Sequence, residues 1–297
     1  MSSYILSCES TADLSIEHLK NIEVPYICFS YTMDGKMYKD DLGLSMPFDE
    51  FYKKVASGSD VKTSQINTEE FVGYFEGFLK EGIDIIHVCL SSGITGVMNS
   101  ANAARDILQD KYKDRKIYIV DSLAASSGYG LLIDTASEIK KQGKTIDELK
   151  SWIEDNRLRL NHWFFSSDLT HFIKGGRISK PAGTIGQLLG ICPLMRVDSH
   201  GELKIYSKIR GKHNVITEIV NKMIELADNG ENYNGKCYIS ESDCIDDAKM
   251  VASLIEEKFK SLDGKVLINS IGTVIGCHTG PGTIALFFWG NKREDGR

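Results

Sequence analysis

No two of the chain's cysteines stand at CxxC spacing; the seven (Cys8, Cys28, Cys89, Cys192, Cys237, Cys244, Cys277) are odd in number and scattered. Neither a zinc knuckle nor a thioredoxin-type motif is expected, and no H-E-x-x-H or comparable ligand spacing points to a metal. Most of these cysteines lie in apolar strand-like runs, where a free thiol acts as a small hydrophobe. Only five prolines are present and no Pro- or Ser-rich stretch, so no flexible linker is expected between modules. No apolar run reaches bilayer-spanning length, because Tyr4-Ile5-Leu6 is interrupted at Ser7 and Glu9. The start lacks the charged flank and cleavage site of a signal peptide, so a cytoplasmic location without membrane insertion is expected. Positive charge is not in excess either. A balance of 35 basic against 41 acidic residues gives a net charge of −6, which disfavours nucleic acid as a partner because phosphate contacts need a basic face. The missing G-x-S-x-G elbow and P-loop argue against an ordinary α/β hydrolase and a nucleoside triphosphate. No catalytic residue is assigned.

What is present is most informative at Asp84–Gly96. The apolar run Ile85-Ile86-His87-Val88-Cys89-Leu90 stops at Ser91-Ser92-Gly93 and gives way to an Ala-rich stretch with Val97, Ala101, Ala104 and Leu108 at helical spacing. A strand breaking into a helix through small hydroxyl residues exposes unpaired N–H groups at the positive end of a helix dipole, a ready anion holder. The pattern repeats along the first half. Strands are expected at Tyr4–Ser7, Val24–Tyr31 and Lys116–Val120, with helices at Ile16–Asn21, Pro47–Val55, Thr68–Lys80, Ala125–Lys141 and Thr145–Asn156. Such alternation means a parallel sheet whose ligands sit at the carboxyl ends of its strands, where Ser7–Thr11, Ser91-Ser92 and Asp121-Ser122 would gather.

The second half reads differently. A helix is expected at Pro181–Leu189, a hairpin at Cys192–Val197 and Leu203–Ile209, and strands at Trp163–Phe165, Lys236–Ser240, Val266–Asn269 and Thr283–Trp289. The fold class is therefore α/β with two domains. Residues 1–156 form an N-terminal three-layer parallel-sheet α/β domain, and residues 157–297 a C-terminal α+β domain with a mixed sheet.

Several segments could carry chemistry, each with a plainer reading beside it. Thr63-Ser64-Gln65 precedes a helix, as Ser91-Ser92 does, and either could simply cap it. Together, at strand-to-helix edges of one sheet, they make a neutral cradle for a carboxylate or phosphate oxygen. Gly175-Gly176-Arg177 offers a guanidinium for an anion or a partner protein, or only a helix C-cap and a surface arginine. Arg210-Gly211-Lys212 is a second basic turn. Cys277-His278-Thr279-Gly280-Pro281-Gly282 reads as a loop whose glycines allow close backbone approach. His87 reads as a satisfied sheet histidine, and Phe71, Tyr74, Phe75 and Phe78 as core.

On these motifs the chain resembles the DegV family of bacterial fatty-acid-binding proteins along nearly its full length. The matching pieces are Glu9-Ser10-Thr11-Ala12-Asp13-Leu14, Thr63-Ser64-Gln65, Ser91-Ser92-Gly93-Ile94-Thr95-Gly96, Asp121-Ser122, Gly175-Gly176-Arg177-Ile178 and His278-Thr279-Gly280-Pro281-Gly282. The resemblance implies a long acyl chain buried between or within two domains, with no other cofactor. It places the fatty-acid carboxylate at Thr63, Ser64, Ser91 and Ser92 with backbone help from Gly93, and His278 near the head group. Thr95 and Thr279, within the matched segments, join the candidate head-group site. The resemblance assigns Arg177 to docking a fatty acid kinase that phosphorylates the carboxylate, and Arg210 could lie on the same docking face. The departures are Glu9 for Asp, Ile66 for Pro, Thr95 for Ser, and Val97-Met98-Asn99 for Thr-Tyr-Gln. They would reshape the pocket wall. Two other readings compete: a phosphotransferase-like protein or atypical hydrolase using Ser92 with His278, and a pure interaction module using Arg177 and Arg210.

Overall fold

The computed structural model describes residues 3–179 and 190–295, so the helix expected over Pro181–Leu189 lies outside the described residues. The strands of the first half are β1 (Tyr4–Glu9), β2 (Tyr26–Ile27), β3 (Ser30–Met33), β4 (Lys36–Lys39), β5 (Val61–Ser64), β6 (Asp84–Cys89) and β7 (Ile117–Asp121), of which β6 and β7 are set by β-branched, apolar runs. A four-stranded parallel sheet runs in the order β2-β1-β6-β7. Its register pairs Ser7 with His87 and Cys89 with Asp121, so the hydroxyl-rich segments that follow these strands share one edge.

The stretch Val24–Tyr31, expected as one strand, is divided. Tyr26–Ile27 joins the parallel sheet, while Ser30–Met33 belongs to a separate antiparallel sheet of order β4-β3-β5. The cause is the turn at Asp34 and Gly35, whose positive φ values of 51° and 81° suit a two-residue hairpin. That hairpin pairs Met33 with Lys36 and draws β3 out of line.

The helices around these sheets are α1 (Ile16–Asn21), α2 (Phe48–Ala56), α3 (Thr68–Lys80), α4 (Val97–Lys111), α5 (Ser126–Lys141) and α6 (Ile146–Asn156). Capping boxes at Asn67/Glu70 and Thr145/Glu148 start α3 and α6. After α6 the strands are β8 (Leu160–Ser166), β9 (Ile191–Val197), β10 (Leu203–Arg210), β11 (Tyr238–Glu241), β12 (Leu267–Ser270) and β13 (Thr283–Trp289). They form a mixed six-stranded sheet, β10-β9-β8-β13-β11-β12, in which only β11 and β12 run parallel to each other. Helices α7 (Thr170–Lys174), α8 (Lys212–Leu226), α9 (Ile245–Lys258) and α10 (Thr273–Thr279) complete it.

Helix α10 replaces the loop expected around Cys277 and His278. Seven residues rarely hold a helix alone. Here Asp40, from the other half of the chain, accepts hydrogen bonds from the Thr273 N–H at 3.2 Å and Oγ1 at 2.6 Å, placing a carboxylate at the helix's positive end.

Helix α5 is the shared wall. From Ser126 to Asp134 it is buried throughout, packed against β8, β11 and β13 on one side and the turn after β1 on the other. Gly128 makes this possible: a Cβ there would stand 2.3 Å from His162 Nε2 and 2.5 Å from Phe287. Ser126 Oγ bonds both Asp13 Oδ2, at 2.5 Å, and Ser240 Oγ, at 2.9 Å, and Asp134 accepts Lys236 Nζ at 2.6 Å. The two large sheets are thus bonded through one helix.

Candidate functional site

Antiparallel register and two-residue alternation put His162 and Phe164 of β8 on the same face as Ala285 and Phe287 of β13. That face looks towards α5 and floors a cavity enclosing about 600 Å³ of atom-free space, its mouth included. Phe172 of α7 and Leu203 of β10 close its sides. Its walls are chiefly apolar with a few polar groups, the make-up of a small-molecule site.

Arg177 and His278 are among the polar residues of the lining, and Thr63 stands behind His278. Thr63, on β5, has its Oγ1 2.9 Å from His278 Nε2, at the end of α10. Burial, with the nearby Arg177 cation second, pulls His278 down to about 4, so the ring is neutral near pH 7. Its ring packs on the Gly-Gly-Arg turn, where a Cβ at Gly175 would lie 2.3 Å from Nδ1. Arg177 spans the mouth: Nη1 donates to Gly175 O at 2.5 Å and Nη2 to Ile94 O at 3.3 Å. Its side chain also lines an outer groove with Gly93, Thr95, Gly96 and Lys204. A neutral imidazole, a hydroxyl and a guanidinium at an apolar cavity can orient an anionic head group whose tail lies inside.

The remaining sequence candidates fall around this centre. Thr279 is buried in the cavity wall, with Oγ1 3.3 Å from Gly280 O. Ser64 is exposed at the end of β5, which belongs to the small antiparallel sheet and not to the parallel one, so Thr63 and Ser91 do not share a sheet edge. Ser91 is fully buried; its Oγ donates to Gly201 O at 2.8 Å and accepts the Gly93 N–H at 3.2 Å. Ser91 therefore ties the β9–β10 hairpin to the turn after β6. Ser92 is exposed, with its N–H on Asp121 Oδ1 at 3.2 Å, and His278 meets Thr63 instead of Ser92. Thr95 Oγ1 accepts the Val97 N–H at 3.3 Å, just before α4. Arg177 and Arg210 are not brought together. Arg210 is exposed opposite Ile191, seven residues along β10 from Leu203, roughly 23 Å at strand rise.

In sequence Phe164, Phe172 and Phe287 look no different from core aromatics, so nothing local marks the cavity walls. The alternation of Phe164 with His162, and of Ala285 with Phe287, is the signal that could have placed them on one face. His162 is a further residue of that wall. Burial and then the Arg293 charge push it well below its ordinary value, and Nδ1 lies 3.1 Å from Leu160 O.

The family model for "Uncharacterised protein, DegV family" matches residues 6–291. The chain belongs to the DegV family. A DegV domain-containing protein of Clostridium perfringens is 38% identical over 294 residues, covering 99% of this chain and 100% of that one. Among solved structures, a Thermotoga maritima protein reported to reveal fatty acid binding function is 25% identical, with a TM-score of 0.81 over 98% of this chain and 100% of that one. The Streptococcus pneumoniae fatty acid kinase (Fak) B3 protein, loaded with linoleic acid, shares the fold at 18% identity and a TM-score of 0.83, over 97% of this chain and 100% of that one. A DegV lipid binding protein of Thermotoga maritima is 25% identical, with a TM-score of 0.83 over 99% of this chain and 100% of that one. No helix among the described residues is long and apolar enough to cross a membrane.

Proposed function

We propose that this DegV protein is a cytoplasmic carrier that holds a long-chain fatty acid, without turnover of its own, and presents its carboxylate to a fatty acid kinase. The observation that carries the reading is a chiefly apolar cavity between α5 and the β8–β13 floor whose lining includes His278 and Arg177, with Thr63 bonded to His278. Burying an acyl tail gains about 0.8 kcal/mol per methylene, on the order of 10 kcal/mol for a long chain, against several kcal/mol of binding costs. The tail supplies affinity and the head group sets direction. Thr63 donates to the carboxylate with His278 behind it; Ser64, Ser92, Gly93, Thr95 and Thr279 border the head group, and Ser91 holds the wall in place. The outer groove beside Arg177 is where a kinase would reach the carboxylate, a partner role supported by the pneumococcal kinase-system neighbour.

Native mass spectrometry of protein purified from a bacterial host is expected to show one co-purified fatty acid per chain. Delipidated protein that takes up no acyl chain from a mixed fatty-acid pool would defeat the reading. A pull-down with a fatty acid kinase, compared between the native chain and Arg177→Ala, tests presentation separately from binding.

A further inference from the structure

A second polar cluster lies away from the cavity, inside the parallel sheet. Strands β1 and β6 are in register at Ser7 and His87, so alternation brings Ser7, Glu9, His87 and Cys89 to one face. The rings of Phe71 and Phe75 from α3 pack against His87 at 5.4 and 5.2 Å between centroids. None of the four polar residues is accessible to solvent.

Two of them are gripped from behind and left bare in front. His87 Nδ1 lies 2.8 Å from Ser7 Oγ; with the proton on Nδ1, Nε2 presents a free lone pair. Glu9 Oε2 accepts the Leu90 N–H at 2.7 Å, which leaves Oε1. Both Nε2 and Oε1 are buried without a hydrogen-bond partner, and they stand 3.7 Å apart. One donor atom from each of Glu9, His87 and Cys89 lies within 4.8 Å of the others. Nε2 and Oε1 stand beyond hydrogen-bond length of each other in a dry core, and a cation between them would satisfy both.

The separation is too long for a hydrogen bond. It is close to the spacing of two ligands on a tetrahedral metal, since bonds of about 2.0–2.2 Å place them roughly 3.3–3.5 Å apart. Oxygen, nitrogen and sulfur donors together match zinc. A carboxylate, a thiolate and a neutral imidazole around a divalent cation sum to zero charge, the condition a water-free interior favours. The bonds from Ser7 and Leu90 are the outer contacts that orient metal ligands.

We propose that Glu9, His87 and Cys89 form a structural zinc site that staples β1 to β6. On binding, a zinc–sulfur bond replaces the Cys89 S–H bond and the proton leaves to solvent. The three residues are fully buried, so zinc enters as the sheet folds. The site does not depend on the fatty-acid reading.

Unfolding the full chain in guanidinium and refolding it with zinc chloride or with EDTA tests the assignment. The native chain is expected to hold one zinc per chain by elemental analysis and to melt higher after zinc than after EDTA. Refolding with cobalt(II) is expected to give a thiolate-to-cobalt charge-transfer band, kept in Cys237→Ser and lost in Cys89→Ser. A native chain that binds no stoichiometric zinc and melts identically in both media overturns the proposal, whether or not Cys89→Ser folds. So does a Cys89→Ser protein that keeps its zinc and the cobalt band.

Discussion

Replacing Thr63 by valine removes one hydroxyl and keeps the branched shape suited to strand β5. When His278 Nε2–H donates to Thr63 Oγ1 across their 2.9 Å contact, the threonine proton is free to point at a carboxylate. A hydrogen bond to a charged acceptor contributes about 1.5–3 kcal/mol, so Thr63→Val is expected to weaken fatty-acid binding roughly 10- to 100-fold. His278→Phe removes the group that orients that proton and should cost a similar factor. Because both losses pass through one bond, the double variant is expected to bind about as weakly as the worse single variant, well short of the product of the two losses. Displacement of a fluorescent fatty acid from delipidated protein measures all four affinities, and thermal melts separate a binding defect from a folding defect. Multiplicative losses, or either single variant binding like the native chain at an unchanged melting temperature, would refute the coupled head-group site.

Because burial holds His278 near 4, its ring stays neutral from pH 8 to 6, and affinity should be flat there; strengthening by about tenfold per unit below pH 6.5 would mean that an imidazolium holds the carboxylate. Gly93→Ala would set a Cβ 2.5 Å from His200 O and 2.7 Å from the Gly201 carbonyl carbon, forcing the hairpin tip outward at about 1–3 kcal/mol, visible as a lower melting temperature and faster lipid release; unchanged values in both would count against the packing described. Burial alone would raise the Asp134 carboxyl, but His18, Lys236 and Tyr238 bring it down to about 2. That stabilisation is full above the ordinary aspartate value near 3.9 and is lost as pH falls through about 2. Asp134→Asn should therefore cost about 2 kcal/mol at pH 7 and flatten the stability decline between pH 4 and 2, as denaturant titrations at each pH would show; a decline as steep as the native chain's would refute the assignment. Arg177→Ala removes the bonds to Ile94 and Gly175 across the mouth, so stopped-flow release of a bound fluorescent fatty acid should quicken; an unchanged rate would show that the mouth closes elsewhere.

The strand-and-helix alternation and the hydroxyl edge after β1, β6 and β7 were readable because they depend on local periodicity. The proposed head-group centre was less so. Thr63 and His278 are 215 positions apart, and α10 exists as a helix because Asp40 caps it from 233 positions away. Gly175 reads as a C-cap signal, yet it is His278 Nδ1 that occupies the space of its missing Cβ. Ser91 looks in sequence like an anion ligand, and only the return of Gly201 from the other half shows where its hydroxyl points. The cluster of Glu9, His87 and Cys89 escapes any spacing rule because its ligands come from two strands separated by the whole span of β2 to β5. Ligand-spacing motifs detect metal sites within one loop or helix, and strand pairing builds them without leaving such a mark.

The turn after β6 is fixed from three directions, and this bears on how the site holds an anion. Glu9 holds the Leu90 N–H, Ser91 holds Gly201 of the hairpin, and Arg177 holds Ile94 O. These bonds come from β1, the β9–β10 hairpin and the turn after α7, so the turn cannot shift without disturbing both halves of the chain. A wall set in advance spares a ligand the ordering costs that usually erode affinity. Neutral hydroxyls and a neutral imidazole gain little over water on average, so their value here comes from being already aimed. A zinc ion at Glu9 would act on the same turn, since the carboxylate that would bind it also holds Leu90, next to Ser91. The staple in the sheet and the head-group end of the cavity are then two ends of one rigid path, which runs through a single carboxylate.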